Sequence, residues 1–286
     1  QLDQTIKHEH PGCSIIAEES TAWPGVTAEA EQGGLGFAFK WNMGWMHDTL
    51  QYFGLDPIHR RWHQDRLTFA MVYEHSERFL MPLSHDEVVH GKGSLLNKMA
   101  GDEWQQLANL RTLLAYMFTR PGKKLLFMGT ELAPATEWNH DLSLDWDLLR
   151  RDARRACFLA FVERLARLYR ERPELWRRDY DPDGFSWIST DDRENSVLAY
   201  TRRDGDRHCV VVLNMTPVPR DNYRIGVPGG HTYHEILNSD ATAWAGSGHS
   251  TRALVAAQEA PFHGFAHSVE LTLPPQAALI LAPAGA

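Results

Sequence analysis

The chain has 286 residues, 43% of them hydrophobic and 23% charged, with 29 lysines and arginines against 37 acids and a net charge of −8. That mixture excludes disorder, collagen and coiled coil, and no long basic run offers a phosphate backbone the clustered Lys and Arg it needs, so no nucleic-acid partner is expected. The cleanest apolar runs, 113–118 and 277–282, fall far short of the roughly 20 residues that cross a bilayer, so no membrane partner is expected either.

Residues 1–12 are polar and show no signal-peptide pattern. Residues 14–17 form a short apolar run that ends at Glu18 and reads as a buried strand. Residues 37–39 are a second strand candidate. Residues 79–83 are a third, ending at Ser84-His85-Asp86, and 124–129 are a fourth. Gln32-Gly33-Gly34-Leu35-Gly36 matches no phosphate-binding fingerprint and reads as a turn. Leu107, Leu110, Leu114 and Met117 recur at helical spacing, after Asp102 as a cap and before Pro121 as a stop. A second helix is expected over about 152–171, with Phe158, Phe161, Val162, Leu165 and Leu168 as its apolar set and Pro173 at its end. Strand–helix alternation points to parallel β/α units. Beyond the turn Asp181-Pro182-Asp183-Gly184 only strands are expected, near 197–201, 209–213, 269–273 and 278–281. About 100 residues of this kind read as a β-sandwich with a core of its own. The expected fold class is therefore α/β plus all-β, with the boundary near residue 180.

Parallel β/α folds carry their active sites at the C-terminal ends of strands. Glu18 and Asp86 both stand at such ends. Paired carboxylates suit glycosidic chemistry, in which one protonates the leaving oxygen and negative charge stabilises an oxocarbenium-like transition state. Equally, such acids serve as loop residues or helix caps. Trp41 and Trp45 follow the second strand and suit either a flat platform for sugar rings or ordinary core packing. None of the 15 histidines has the spacing of a zinc helix, and no serine sits in a nucleophile elbow. Cys13, Cys157 and Cys209 are too few and too scattered for a disulfide framework or a zinc site, which fits a reducing, cytoplasmic compartment.

Several longer segments carry a resemblance. They are Ala17-Glu18-Glu19-Ser20-Thr21, Lys40-Trp41-Asn42-Met43-Gly44-Trp45-Met46, Ser84-His85-Asp86-Glu87-Val88-Val89-His90-Gly91-Lys92 and Glu137-Trp138-Asn139-His140. Asn214-Met215-Thr216-Pro217 and Leu271-Thr272-Leu273-Pro274-Pro275 continue them. Together they resemble the C-terminal half of the 1,4-α-glucan branching enzyme family, within the α-amylase superfamily. The resemblance implies the second half of a (β/α)8 TIM barrel over 1–179 and a C-terminal β-sandwich over 180–286. It implies Glu18 as general acid/base, Asp86 as transition-state stabiliser, and His85, Trp41 and Trp45 as substrate-binding residues. The implied activity is retaining transglycosylation: an α-1,4 glucan is cleaved and the segment passed to a 6-hydroxyl, making α-1,6 branches in glycogen. The implied partner is an α-glucan polysaccharide, with no metal and no organic cofactor; oligomeric state is left open.

The resemblance has two departures. Only 17 residues precede Glu18, and none resembles the segment bearing the family's nucleophilic aspartate, so the chain alone is expected to be inactive. At Thr130-Glu131-Leu132-Ala133-Pro134 the family more often shows phenylalanine after the glutamate, which bears on the last barrel loop. Another α-amylase-type glucan hydrolase, or a non-catalytic glucan-binding fragment, stands as the alternative. With about four barrel strands and open edges, the isolated 286-residue chain is expected to be poorly soluble or partly unfolded, and residues 180–286 alone better behaved.

Overall fold

The computed structural model describes residues 2–250 and 253–285. After helix α1 (Leu2–Glu9), the strands β1 (Ile16–Ala17), β2 (Phe39–Trp41), β3 (Phe79–Leu83) and β4 (Lys123–Leu126) form one sheet in that order. Each neighbouring pair is parallel, with Ala17 opposite Lys40, Lys40 opposite Phe79, and Leu83 opposite Leu126. Helices α2 (Met43–Gly54) and α3 (Asp65–Thr68) connect β2 to β3, and α4 (Glu103–Thr119) connects β3 to β4. Helices α5 (Leu148–Arg151) and α6 (Ala153–Glu171) follow β4. Among the described residues no helix is long and apolar enough to cross a membrane.

Helix α2 is the element that the sequence pattern hid. Asn42 caps it by accepting the Trp45 N–H at 2.9 Å, and Trp45, Met46, Thr49, Tyr52 and Phe53 give it a buried face at helical spacing. The aromatic block after β2 is therefore the entry into a helix rather than an extended platform. Helix α4 begins with a capping box, in which the Asp102 carboxylate accepts the Gln105 N–H at 2.9 Å and the Gln105 side chain accepts the Asp102 N–H at 3.0 Å. The residues Leu107, Leu110, Leu114 and Met117 are buried as the spacing predicts, but so is every other residue from 107 to 119. A helix without a solvent-facing side must be covered on all sides.

The rest of the chain supplies that cover. The strands β5 (Phe185–Ser189), β6 (Val197–Asp204), β7 (Arg207–Asn214), β8 (Arg220–Val227), β9 (Thr232–Asn238), β10 (Leu254–Ala256), β11 (His267–Leu273) and β12 (Ala277–Pro283) form two antiparallel sheets. One has six strands in the order β10-β9-β12-β7-β6-β5, and the other pairs β8 with β11. Between them Val197, Ala199, Val210, Val212, Ile225 and Val269 belong to one buried cluster. Their chain neighbours Leu198, Tyr200, Val211, Leu213 and Ile280 point the other way, into a cluster shared with α4 and α6. Both faces of the large sheet are therefore covered, one by strands and one by helices. Beside the core between its two sheets, the all-β part thus buries a second apolar set, on the other face of the large sheet, against the β/α part.

Buried charges and carbonyls stitch the same contact. Arg202 of β6, fully buried, pairs with Asp179 at 2.8 Å and donates to the carbonyls of Thr119 at 2.9 Å and Gly184 at 3.1 Å. Arg111 of α4 donates to the Ser239 carbonyl at 2.7 Å, and Thr112 to the Gln276 carbonyl at 2.7 Å. Arg60 reaches Asn109 at 3.0 Å and the Met215 carbonyl at 2.8 Å. Arg202 has a carboxylate for its charge, whereas Arg60 and Arg111 rest on carbonyl and amide oxygens.

Two outcomes are expected. Arg202→Ala takes from buried Asp179 one of its two cations, leaving Lys123 at 2.9 Å, and should cost about 1–3 kcal/mol in urea unfolding, whereas Arg61→Ala, in the exposed pair with Glu194, should cost less than about 1 kcal/mol. Residues 180–286 produced alone would expose Leu198, Tyr200, Val211, Leu213 and Ile280, so on size exclusion they should elute as aggregates and melt below the full chain. A monodisperse fragment with the full chain's melting temperature would refute that dependence.

Candidate active site

The C-terminal edge of the parallel sheet carries the two acids singled out from the sequence. Glu18 follows β1 directly and is exposed. Asp86 lies in a 3-10 turn, His85–Glu87, that follows β3. Both strands flank β2, so their paths are two strand spacings apart, roughly 10 Å. Along the strands Glu18 is level with Trp41 and Leu80, while the Asp86 turn begins after Leu83 and stands farther out. The alternation that buries Ala17 turns Glu18 to the opposite side, where Ile16 is exposed.

The turn holding Asp86 is tightly built. Ser84 is its cap: the Ser84 hydroxyl accepts the Asp86 N–H at 3.2 Å, and the Glu87 carboxylate accepts the Ser84 N–H at 2.6 Å and its hydroxyl at 2.9 Å. Glu87 is buried, whereas His85 and Asp86 are half-exposed and contact each other at 3.3 Å, Nε2 to Oδ1. The His85 ring lies 6.2 Å from Phe127, which meets Trp138 edge-on at 5.2 Å. Trp138 in turn donates its backbone N–H to the Val88 carbonyl at 2.9 Å, fastening the segment after β4 to this turn. Beside it lies a cavity of about 240 Å³, bordered by Val88, Met128, Thr130, Glu137, Trp138 and Leu142.

The loop after Glu18 is held differently. Lys40, buried in the middle of β2, extends its ammonium to the carbonyls of Thr21 at 2.9 Å and Trp23 at 3.2 Å. Glu19 accepts the Thr21 N–H at 2.6 Å. That hydrogen bond, the Thr21 hydroxyl and the Lys40 charge hold the Glu19 carboxyl below the usual glutamate range. Glu19, Lys40, Trp41 and Tyr73 border a second cavity, of about 370 Å³.

The structure thus brings His85 and Asp86 into contact and sets Trp41 half-buried near the mouth of the second cavity. Trp45 lies elsewhere: it is fully buried, with its ring 6.4 Å from Tyr116 of α4. It packs the core and offers no surface to a ligand, which corrects its expected role as a substrate-binding residue. Glu19, Lys40, Glu87 and Trp138, which fall in the segments that carry the resemblance but were given no role there, shape the site together with Phe127. Lys40 had one signal, an alternation of apolar, polar and apolar across Phe39-Lys40-Trp41, but a lysine there normally faces water. Among the described residues no group of three or more His, Cys, Asp or Glu is arranged to hold a metal ion.

Comparison with known proteins adds the kinship. Residues 187–284 match the alpha amylase C-terminal all-beta domain. The 1,4-alpha-glucan branching enzyme GlgB 1 of Xanthomonas campestris pv. campestris (strain 8004) is 53% identical across 100% of the chain, which corresponds to 40% of that enzyme. The GlgB enzymes of Cereibacter sphaeroides and Cupriavidus pinatubonensis are 55% and 56% identical, over 99% and 98% of the chain and 39% and 38% of their own lengths. The chain thus spans about two fifths of the relatives it matches. In fold it is similar to an alpha-amylase from H.orenii, with a TM-score of 0.60 at 15% identity over 98% of the chain and 55% of that protein. It is likewise similar to a Nostoc Punctiforme debranching enzyme, with a TM-score of 0.61 at 13% identity over 98% of the chain and 52% of that one. In sequence the chain is thus similar, along its whole length, to the C-terminal portion of 1,4-alpha-glucan branching enzymes.

Proposed function

We propose that the protein to which this chain belongs is a glycogen-branching transglycosylase. It cleaves an α-1,4 glucan, holds the segment as a covalent intermediate, and passes it to a 6-hydroxyl. In this reading residues 1–179 are the second half of a (β/α)8 TIM barrel, and 180–286 are its C-terminal β-sandwich. The observation that carries the reading is the placement of Glu18 and Asp86 on two strands of one parallel sheet, both past its C-terminal edge, in a chain so similar to branching enzymes. Three free cysteines, one of them buried, support a reducing cytoplasmic setting.

The chemistry follows from the placement. Glu18 is open to solvent and free to give a proton to the leaving glycosidic oxygen, then to take one from the incoming 6-hydroxyl. Asp86 supplies negative charge toward the oxocarbenium-like transition state, and His85, in contact with it, presents its ring to sugar hydroxyls. Trp41 offers an apolar face on which a sugar ring stacks. Excluding water from the intermediate lets a hydroxyl win the second step. Retention needs a nucleophile about 5–5.5 Å from the acid/base, and residues 1–286 present no segment like the family's own. The chain by itself is therefore read as a glucan-binding body without turnover.

Three measurements test this reading. In the full-length protein, Glu18→Gln should lower the rate of forming α-1,6 linkages by roughly 10²–10⁴-fold, and near-normal branching would reject its role. The 286-residue chain alone should leave the iodine stain of amylose unchanged, and new α-1,6 bonds would overturn the assignment of a missing nucleophile. Glu87→Gln retains an acceptor oxygen for Ser84, whereas Glu87→Ala loses the cap. In the full-length protein the first should keep activity within tenfold, while the second should lose it and drop in stability by about 1 kcal/mol.

A further inference from the structure

The backbone between Glu18 and β2 is held by side chains that the chemistry at Glu18 and Asp86 leaves unused. Its farther part, beyond Trp23, has two anchors that stand just before β3. Glu77, buried, accepts the Val26 N–H at 2.8 Å, the Thr27 N–H at 2.7 Å and the Thr27 hydroxyl. Arg78 donates to the carbonyl of Thr27 at 2.8 Å and to those of Phe37 and Ala38 at 3.1 Å. These bonds fix residues 26–27 and 37–38 whatever happens beside Glu18.

The near part, Glu19 to Trp23, depends on Lys40. That residue stands opposite Ala17 in the neighbouring strand, so its side chain and that of Ala17 share one face of the sheet. From there it reaches past the end of β1 to the carbonyls of Thr21 at 2.9 Å and Trp23 at 3.2 Å. Thr21 in turn donates its N–H to the Glu19 carboxylate at 2.6 Å. Glu18 leaves β1 on the opposite face and is exposed, so its carboxylate takes its place from the backbone that carries it. Lys40 therefore reaches the acid through residues 18–21 and not by touching it.

We infer that Lys40 is a positioning residue for the acid/base: by fixing the carbonyls of Thr21 and Trp23 it holds the Glu18 carboxylate within reach of the glycosidic oxygen. The inference rests on the role proposed above for Glu18. A general acid works only within hydrogen-bond distance of the oxygen it protonates, and a displacement of about 1 Å is enough to cost roughly 10²-fold. With Glu77 and Arg78 still holding the farther part, loss of the Lys40 ammonium falls on proton transfer and leaves the rest of the site in place.

The test compares two reactions of the full-length protein. On amylose, Glu18 must act as acid and then as base. On α-maltosyl fluoride with azide, fluoride leaves without a proton as the glycosyl–enzyme bond forms, and azide then takes the sugar without a base, so both duties are bypassed. Lys40→Met keeps the stem and removes the donors. It should form α-1,6 linkages at least about tenfold more slowly, with KM for amylose within about threefold, and release fluoride within about threefold of the unsubstituted rate. Glu18→Gln is the reference and should show the same split, only larger. Both rates come from one preparation, so their ratio is untouched by a smaller folded fraction. An unshifted ratio in Lys40→Met overturns the inference, whether both rates are normal or both are low. So does a raised KM with kcat unchanged, which would make Lys40 a binding group. A shifted ratio in Glu18→Gln alone rejects the inference and leaves the proposed function standing. If Glu18→Gln keeps the unsubstituted ratio, the role proposed for Glu18 falls and the inference falls with it.

Discussion

The molecule is organised around a helix that has nowhere to meet water. From Leu107 to Thr119, α4 is buried on every side, between the parallel sheet and the large antiparallel sheet. Its apolar residues fill both contacts. Its polar ones must each find a partner in a place where an unmade hydrogen bond costs about 1–3 kcal/mol. Asn109 accepts from Arg60 and donates to the Ala100 carbonyl at 2.9 Å. Tyr116 donates to the Leu67 carbonyl at 2.5 Å, and Thr119 shares a hydrogen bond with Tyr200 at 2.5 Å. The two halves of the chain are thereby one folded body, joined by directional bonds as well as by apolar area.

The same economy positions the chemistry. The loop after Glu18 and the turn bearing Asp86 are irregular and lie at a surface, yet each is tied to the sheet by one buried ionisable side chain. For the first it is Lys40, whose ammonium caps two carbonyls of the loop. For the second it is Glu87, whose carboxylate closes the Ser84 cap. Strands and buried tethers fix the loop and the turn, while Glu18, His85 and Asp86 keep their side chains open to solvent.

How much of this was legible follows from the range of each interaction. Strands β1, β3 and β4, the Asp102 cap and the stops at Pro121 and Pro173 rest on neighbours in sequence, and their signals were strong. So was the placement of Glu18 and Asp86 at strand ends. Helix α2 was missed because Trp41-Asn42-Met43-Gly44-Trp45-Met46 reads as an aromatic surface until Asn42 is seen as a cap. Strands β8 and β9 were missed because Arg220, Asp221, Asn222 and Arg224 in one, and His234 and Glu235 in the other, interrupt the apolar alternation. The burial of Arg60, Arg111 and Arg202 has no local signal at all. Arg60 lies 155 residues from the Met215 carbonyl it holds, and arginine's ordinary place is the surface.

The double-sided sheet has one more consequence. A strand with one wet face is locked in place by hydrophobicity, since a shift of one residue would turn its polar side chains inward. Strands β6 and β7 lack that lock over Leu198 to Tyr200 and Cys209 to Leu213, where both sides are apolar. Slipping Val210 and Val212 into the places of Val211 and Leu213 would bury much the same surface. What resists the slip lies at the strand ends. The short tip between Asp204 and Arg207 carries Gly205 at a φ of 61°, and the Asn214 amide hooks the carbonyls of Val218 and Pro274. Arg202 meets Thr119 and Asp179 in only one alignment. The pairing partner of each strand is thus chosen by apolar surface, but its exact alignment is chosen by a handful of polar hooks. Removing those hooks would produce slipped, compact misfolds rather than an open chain.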